Sequence, residues 1–476
     1  MGGSPIISEV AWYDDGQVSA GRISIPNGLT ALNGAVIVIR YMRIFNRKKA
    51  APPTEQSIAR ANLRHNVAAI LIDISGFGTS LGFIGFDTLL PILAFTLTGN
   101  KALVGLMGTV WIGMWLLPQM AAGRWMARRP HKKPVMVGAA LVSRLAFALL
   151  VGLLALGRAI SPTVMFAALV AAIATFRCFD AVAAVAWLDT LTKALPMRVR
   201  SQVFGLGQAF ANILRFGASL VVAAAIAGGL KYPDSYLTLY GFAVIALSIG
   251  MLGLVAIREP VEENHASLSS QMGFVSHALH VLREDARFRQ VTIARLLLGA
   301  FDLARPQYVV HATVELGLAD SSIGLFITAQ TVGGILASVA LGRLSMRQGS
   351  AAVIRVTTTL AAIIPLLALG LHLLAHHQPG LATAGYLMLF ALLGAIDASG
   401  LLGFLAYVLD IAPPGERPSY TGLANTLAGV VVFAPTLGGI ILQITSYHVL
   451  FVCSLTGAAL ALLAALRLPS AEVAEA

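Results

Sequence analysis

The chain has 476 residues, 57% of them hydrophobic and 12% charged, with a mean hydropathy of +0.80. Soluble domains carry about 25% charged residues, so this composition excludes a water-soluble protein and predicts a polytopic helical membrane protein. The net charge of +11 does not imply a nucleic-acid partner, because the Lys and Arg residues sit in short loops between apolar runs rather than along one face.

Residues 1–63 form an N-terminal extension unlike the rest of the chain. Its apolar stretch ALNGAVIVI (31–39) is too short to cross a bilayer. Two readings stand: a genuine extension, or a translation start at Met42 that leaves the basic tail MRIFNRKK. Twelve apolar runs follow, at about 67–97, 101–123, 134–157, 162–187, 203–229, 235–257, 290–313, 321–343, 352–374, 382–405, 421–443 and 446–466. Each reaches the roughly 20 residues a helix needs to span the hydrocarbon core. Backbone groups in lipid must bond within their own segment, so all twelve are expected to be α-helices. Span 1 is thinned by Gly76, Gly78, Gly82 and Gly85 and followed by Pro91, which suits either close packing or a helix that bends. Cys178 and Cys453 fall inside apolar runs and read as core residues rather than a disulfide framework.

The long loop between spans 6 and 7, about 258–289, divides the spans six and six. Its stretch SQMGFVSHALHVLREDARF places Met272, Val275, Ala278, Leu279 and Leu282 at helical spacing, predicting an amphipathic linker helix at the membrane surface. The domains expected are therefore 64–257, the linker 258–289, 290–467, and a short tail at 468–476. Sixteen Lys and Arg residues lie in the loops on one side and at the C-terminus, among them Arg124, Arg128, Lys132, Arg200, Arg258, Arg343, Arg347, Arg417 and Arg467. The opposite loops hold three, Lys101, Arg158 and Lys231. By the positive-inside rule the rich side and both termini are cytoplasmic.

One charged turn is written twice. PMRVRSQVFGL (196–206) and PPGERPSYTGL (413–423) share Pro, Arg, Gly and Leu at an offset of 217 residues. AGRWMARRP (122–130) matches LGRLSMRQG (341–349) at an offset of 219, and Asp180 matches Asp397 at 217. The chain is thus read as two homologous six-helix halves.

With GRWMARRPHKKP after span 2, its echo GRLSMRQG after span 8, and IREP closing span 6, residues 64–467 resemble a major facilitator superfamily transporter. The resemblance implies twelve helices in two pseudo-symmetric halves rocking about a central site. It also implies that spans 1, 4, 7 and 10 line the cavity and that the loops after spans 2, 4, 8 and 10 take part in gating. The gating residues would be Gly123, Arg124, Arg128, Arg200, Gly342, Arg343, Arg347 and Arg417. FAPTLGG in span 11, with Pro435, Gly438 and Gly439, resembles a helix-packing motif of some antiporters, although the family places it in span 5. The family's loop signature carries an Asp four residues after its first Gly; here Ala127 and Met346 stand there. The relay made by that Asp is absent or rebuilt, with Asp189 as the residue to rebuild it.

Ionisable residues at membrane depth are costly and mark function. They are Asp73 and Asp87 in span 1, Arg144 in span 3, Arg177 and Asp180 in span 4, Arg215 in span 5, Arg295, Asp302, Arg305 and His311 in span 7, and Asp397 in span 10. Arg177 with Asp180, and Asp302 with Arg305, stand three apart and can pair. Asp180 and Asp397 are the first candidates for carrying protons, with Asp73 next, because a buried carboxylate without a fixed cation can take up and release a proton. Arg177, Arg295, Arg305, Asp302 and Asp87 are candidate cavity residues, the arginines suited to an anion and Asp302 to a cation. Arg200 and Arg417 can bond helix-end carbonyls or pair with Asp189 or Asp410. His372, His376 and His377 read as a solvated external loop rather than a metal site. No phosphate-binding loop and no convincing catalytic motif is found.

The sequence thus predicts a secondary transporter, without cofactor or metal, that exports a small solute against protons across the cell membrane. It is expected to work as a monomer among membrane lipids. Uptake of a specific, possibly anionic, nutrient is the alternative, and a non-transporting sensor or scaffold a third reading.

Overall fold

The computed structural model describes residues 8–14, 17–23, 55–126, 131–259, 280–374, 379–413 and 416–469. The chain divides into two units, Met1–Ile58 and Ala59–Ala476. In the first, strands Ser8–Asp14 and Gln17–Ile23 form an antiparallel hairpin, with Ser8 opposite Ile23 and Asp14 opposite Gln17. The intervening sequence is Asp15–Gly16, the dipeptide that two-residue hairpins favour. Among the described residues this hairpin is the one departure from an all-α architecture. ALNGAVIVI and Met42 lie outside the described residues.

The second unit is helical throughout. Ten of its stretches are long and apolar enough to cross a membrane. Ser322–Leu373 is two spans turned at Gly349, whose φ of 77° and ψ of 176° no helix contains. Residues 286–315, expected as one continuous span 7, are instead interrupted: helix Ala286–Leu298, a 3-10 turn Gly299–Leu303, helix Gln307–Val310 and a π turn His311–Glu315. The embedded Asp302, Arg305 and Pro306 explain the break, since Pro306 removes a donor and the charges sit where the ladder opens. Dividing Ser322–Leu373 gives eleven such spans among the described residues, and the interrupted segment 286–315 stands where the twelfth is expected. The predicted linker helix falls largely on 260–279, outside the described residues; 280–284 are helical, with Val281 buried against the C-terminal half.

Leu149, Leu252, Leu336 and Ile444 are two-thirds or more exposed. In a soluble protein such residues would be a liability; here they form the lipid face. Inside, each half has its own aromatic core. Phe147 packs between Phe176 and Tyr240 in one half, and Phe326 stacks on Phe390 in the other.

The halves meet through spans 2 and 11 and through spans 5 and 8. Close to Lys101 these helices approach to backbone contact: a Cβ at Gly105 would lie 2.1 Å from the Pro435 carbonyl oxygen, and one at Gly324 would lie 2.3 Å from the Ala223 Cα. Thr109 and Thr436 hydrogen-bond across spans 2 and 11, and Ser219 and Thr328 across spans 5 and 8. Towards Arg258 the same four helices stand apart. Gly123, Gly205, Gly342 and Gly422, one on each, have no described atom within 4 Å of where a Cβ would be. The bundle is closed at its Lys101 end, and among the described residues no such backbone contact at a glycine joins the four helices toward Arg258.

Candidate functional site

Span 1 stops at Ile84, turns through residues 85–88 with Gly85 at φ 58°, and restarts as helix Leu89–Thr98. The left-handed turn is one that a residue with a Cβ adopts at a cost. Span 7 breaks at the corresponding place. FDTLLP (86–91) and FDLARP (301–306) share Phe, Asp and Pro at an offset of 215, so the break is itself repeated. Discontinuous helices of this kind expose polar backbone and charge at membrane depth only where a site needs them.

The two breaks face one another. Arg305 of span 7 donates through Nε and one terminal nitrogen to both oxygens of Asp87, each bond 2.9 Å, and the same terminal nitrogen reaches Asp397 Oδ1 at 2.5 Å. The Gln330 side-chain amide of span 8 donates to Asp87 at 2.7 Å and to Asp397 at 3.0 Å. Asp302 lies 4.0 Å from Arg305, on the edge of the group, and the Phe86 ring lies 5.4 Å from the guanidinium. Asp87 is buried, whereas the Asp397 side chain is 40% exposed. Asp87 of the N-terminal half is thereby bonded to spans 7 and 8 of the other, and through Arg305 and Gln330 linked to Asp397 of span 10. Arg215 of span 5 stands close by. Its stem rests against Gly82, its Nε is buried without a hydrogen bond, and its charge is within electrostatic range of Asp397 and Asp87.

A second constellation lies wholly in the N-terminal half. Asp180 pairs with Arg144 and with Arg177, each at 3.5 Å, and all three are nine-tenths or more buried. Arg177 also donates to the Trp111 carbonyl at 3.1 Å and lies 4.3 Å from the Trp111 ring centroid. Beside this triad is a cavity of ≈ 290 Å³ lined by Asp73, Phe77, Trp115, Arg144, Asp180, Trp187 and Gln208, among others.

The expected cavity residues therefore do not converge on one place. Asp87, Asp302, Arg305 and Asp397 form the knot between the halves. Arg177 and Asp180 belong to the other cluster. Arg295 stands apart, beside Thr292, Phe404 and Ala424 at a void of ≈ 10 Å³. The three arginines expected to share an anion are separate, and two of them already hold carboxylates. Asp397 does have a fixed cation after all; it comes from span 7, where sequence neighbours gave no hint of it.

At the Arg258 end, Asp189 is paired with Lys132 and Lys193, each at 3.0 Å, so it does meet the loop after span 2. Arg200 goes elsewhere: it donates to the carbonyls of Thr192 and Leu195, closing the end of span 4. Asp410 accepts from Ser350. Glu259 of IREP accepts from the backbone N–H groups of Lys132 and Lys133, capping span 3. Arg343 and Arg347 are exposed; Arg128, and the side chains of Arg124 and Arg417, lie outside the described residues. In span 11, a Cβ at Gly438 would meet the Leu303 carbonyl at 1.9 Å and one at Gly439 the Lys101 carbonyl at 2.6 Å. His372 is not a loop residue. It ends a helix and bonds His311 at 2.8 Å, with His448 stacked edge-on beyond it; His376 and His377 lie outside the described residues. Gln330, Trp115, Trp187 and Gln208 were invisible as site residues because neutral side chains in apolar spans carry no signal of their own. Arg144 and Arg215 were visible as charges, and the repeated FD-x3-P would have located the knot.

Residues 296–475 match the family model of the Major Facilitator Superfamily. No curated protein matches the chain in sequence. Among solved structures it is similar to the nucleoside transporter NupG, at 16% identity and a TM-score of 0.59 over 85% of this chain and 98% of that one. It is also similar to a bacterial homologue of the iron transporter ferroportin in an inward-facing state, at 15% identity and 0.60 over 86% and 98%. The peptide transporter POT, in complex with sulfate, gives 13% and 0.61 over 85% and 93%. Fold and family model agree: this is a multi-pass membrane protein whose residues 296–475 match the Major Facilitator Superfamily model and whose described helices share the fold of these solved structures.

Proposed function

We propose that the protein is a proton-coupled exporter of a small solute, working by alternating access in the cell membrane with both termini cytoplasmic. In this reading the Arg258 end faces the cytoplasm, following its excess of basic residues, and the structure is the inward-open state. The observation that carries it is the Asp87–Arg305–Asp397–Gln330 knot. It is the buried ionic tie between the halves among the described residues, with the more exposed Lys101–Glu315 pair at 3.7 Å also joining them at the closed end.

Such a tie has to be released before the halves can part. Pulling Arg305 from Asp87 leaves two buried charges, and breaking a buried pair costs about 3–5 kcal/mol. A proton on Asp87 or Asp397 cancels one charge and loosens the knot, so proton uptake from outside and opening to the outside become one event. Arg215 travels with Asp87 in the N-terminal half and supplies a cation when Arg305 withdraws. Asp180 is less suited to this role, since both of its partners belong to its own half. Export rather than uptake is supported by the resemblance of FAPTLGG to the antiporter motif. The test is flux in inside-out membrane vesicles under an imposed pH gradient. Solute should enter as protons leave, and Asp87→Asn and Asp397→Asn should uncouple the two. Gradient-driven movement in the opposite sense would make the protein an importer.

A further inference from the structure

The cavity beside the Asp180 triad is not used by the knot. We propose that it is the solute pocket of this transporter and that it takes an organic cation with a single flat apolar body, such as an aromatic or quaternary ammonium ion. The proposal rests on the transport reading for its role, though not for its chemistry.

Three charged residues line the cavity: Asp73, Arg144 and Asp180. Two are already committed. Asp180 holds Arg144 and Arg177, and Arg144 holds Asp180 while donating at 3.5 Å to the Ala140 carbonyl. Asp73 differs. It is 94% buried (6% exposed), it lines the open volume, and it has no cation within ion-pair distance among the described residues. A buried carboxylate with no ion pair of its own, which has only the Arg144 charge within electrostatic range and the Trp187 indole beside it, leaves room for a further positive charge. An anion entering here would meet two carboxylates against one arginine, which bonds through one terminal nitrogen and leaves its Nε unpaired.

The walls suit the same ligand. Phe77, Trp115 and Trp187 line the same cavity, and ring faces attract cations held within about 6 Å; Phe77 and Trp115 already have Arg144 and Arg177 at 5.7 and 5.5 Å, and Trp187 stands beside Asp73. Gln208, exposed on span 5, offers an amide at the rim. The volume of ≈ 290 Å³ holds roughly ten water-sized groups of about 30 Å³ each. That admits one ring with an ammonium head.

The experiment is equilibrium binding of benzyltrimethylammonium to the purified full-length protein in lipid nanodiscs. Neopentylbenzene, its neutral isostere, and benzenesulfonate, an anion of similar size, serve as competitors. The proposal expects saturable binding of the cation, little competition from either rival, at least tenfold weaker binding in Asp73→Asn, and several-fold weaker binding in Trp187→Ala. An unchanged unfolding midpoint in each variant shows that the pocket and not the fold was altered, and Trp115→Ala stands in for either variant that fails this check. Stronger binding of benzenesulfonate, or an Asp73→Asn affinity equal to that of the parent, overturns the proposal. Saturable cation binding without any flux in vesicles would leave the pocket standing and sink the transport reading. Gradient-driven flux of another solute without cation binding would do the reverse.

Discussion

At position 305 a single guanidinium holds carboxylates from both halves, and its removal has a specific cost. Arg305→Gln leaves Asp87 and Asp397 facing each other across Gln330 with Arg215 as the nearest cation. The unfolding free energy in detergent should drop by about 3–5 kcal/mol. The double variant Asp87→Asn/Arg305→Gln should recover part of this, because charge is removed in a pair. A coupling of about 1–3 kcal/mol is expected from the double-mutant cycle, and strict additivity would show that the pair is not coupled. A smaller effect belongs to Glu259→Ala, which orphans the first N–H groups of span 3 and should cost about 1 kcal/mol in thermal unfolding. Sequence told some of this story. The spacing of Pro196 and Arg200 suggested a helix-closing arginine, and Arg200 does bond the carbonyls of Thr192 and Leu195. The partner of Asp397 could not be read, because Arg305 is 92 residues away in the chain and reaches it only through tertiary packing.

Helices in this bundle do two separable jobs. Spans 2, 8 and 11 carry glycines that are crowded near Lys101, where span 5 meets span 8 through Ala223, and each of the four has a glycine with no described neighbour toward Arg258. Spans 1 and 7 are broken, and the breaks put charge between the halves. Thr109 and Thr436 mark the closed contact, with their hydroxyl oxygens 2.7 Å apart. In a background lacking Cys178 and Cys453, Thr109→Cys/Thr436→Cys should form a disulfide under mild oxidation, stop transport, and regain it on reduction. Ready cross-linking with full activity would mean that this contact never opens. Hydropathy found the spans because length and apolarity set them. It smoothed over the turn at 85–88 and the break at 299–306, because a few charged or glycine residues scarcely lower the average of a long apolar window. Only the comparison of one half with the other, through FD-x3-P, carries that information.

For the molecule as a whole, the two-fold repeat was legible because the same turn had to be built twice. The offset between 196–206 and 413–423 needed no structure to measure. The separation of the ionisable residues into a knot between the halves and a pocket within one of them was not legible, since both draw on the same kinds of residue in equivalent spans. The central claim is that protonation of the knot lets the closed Lys101 end open. The most direct measurement is the distance between spin labels at Leu230 and Ala319, in the turns that flank spans 5 and 8 at that end, followed by pulsed electron paramagnetic resonance as pH is lowered. The parent protein should show a short distance at neutral pH and a growing long-distance population on acidification, while Asp87→Asn should already show the long distance at neutral pH. A distance that ignores pH in the parent, or stays short in Asp87→Asn, would contradict it.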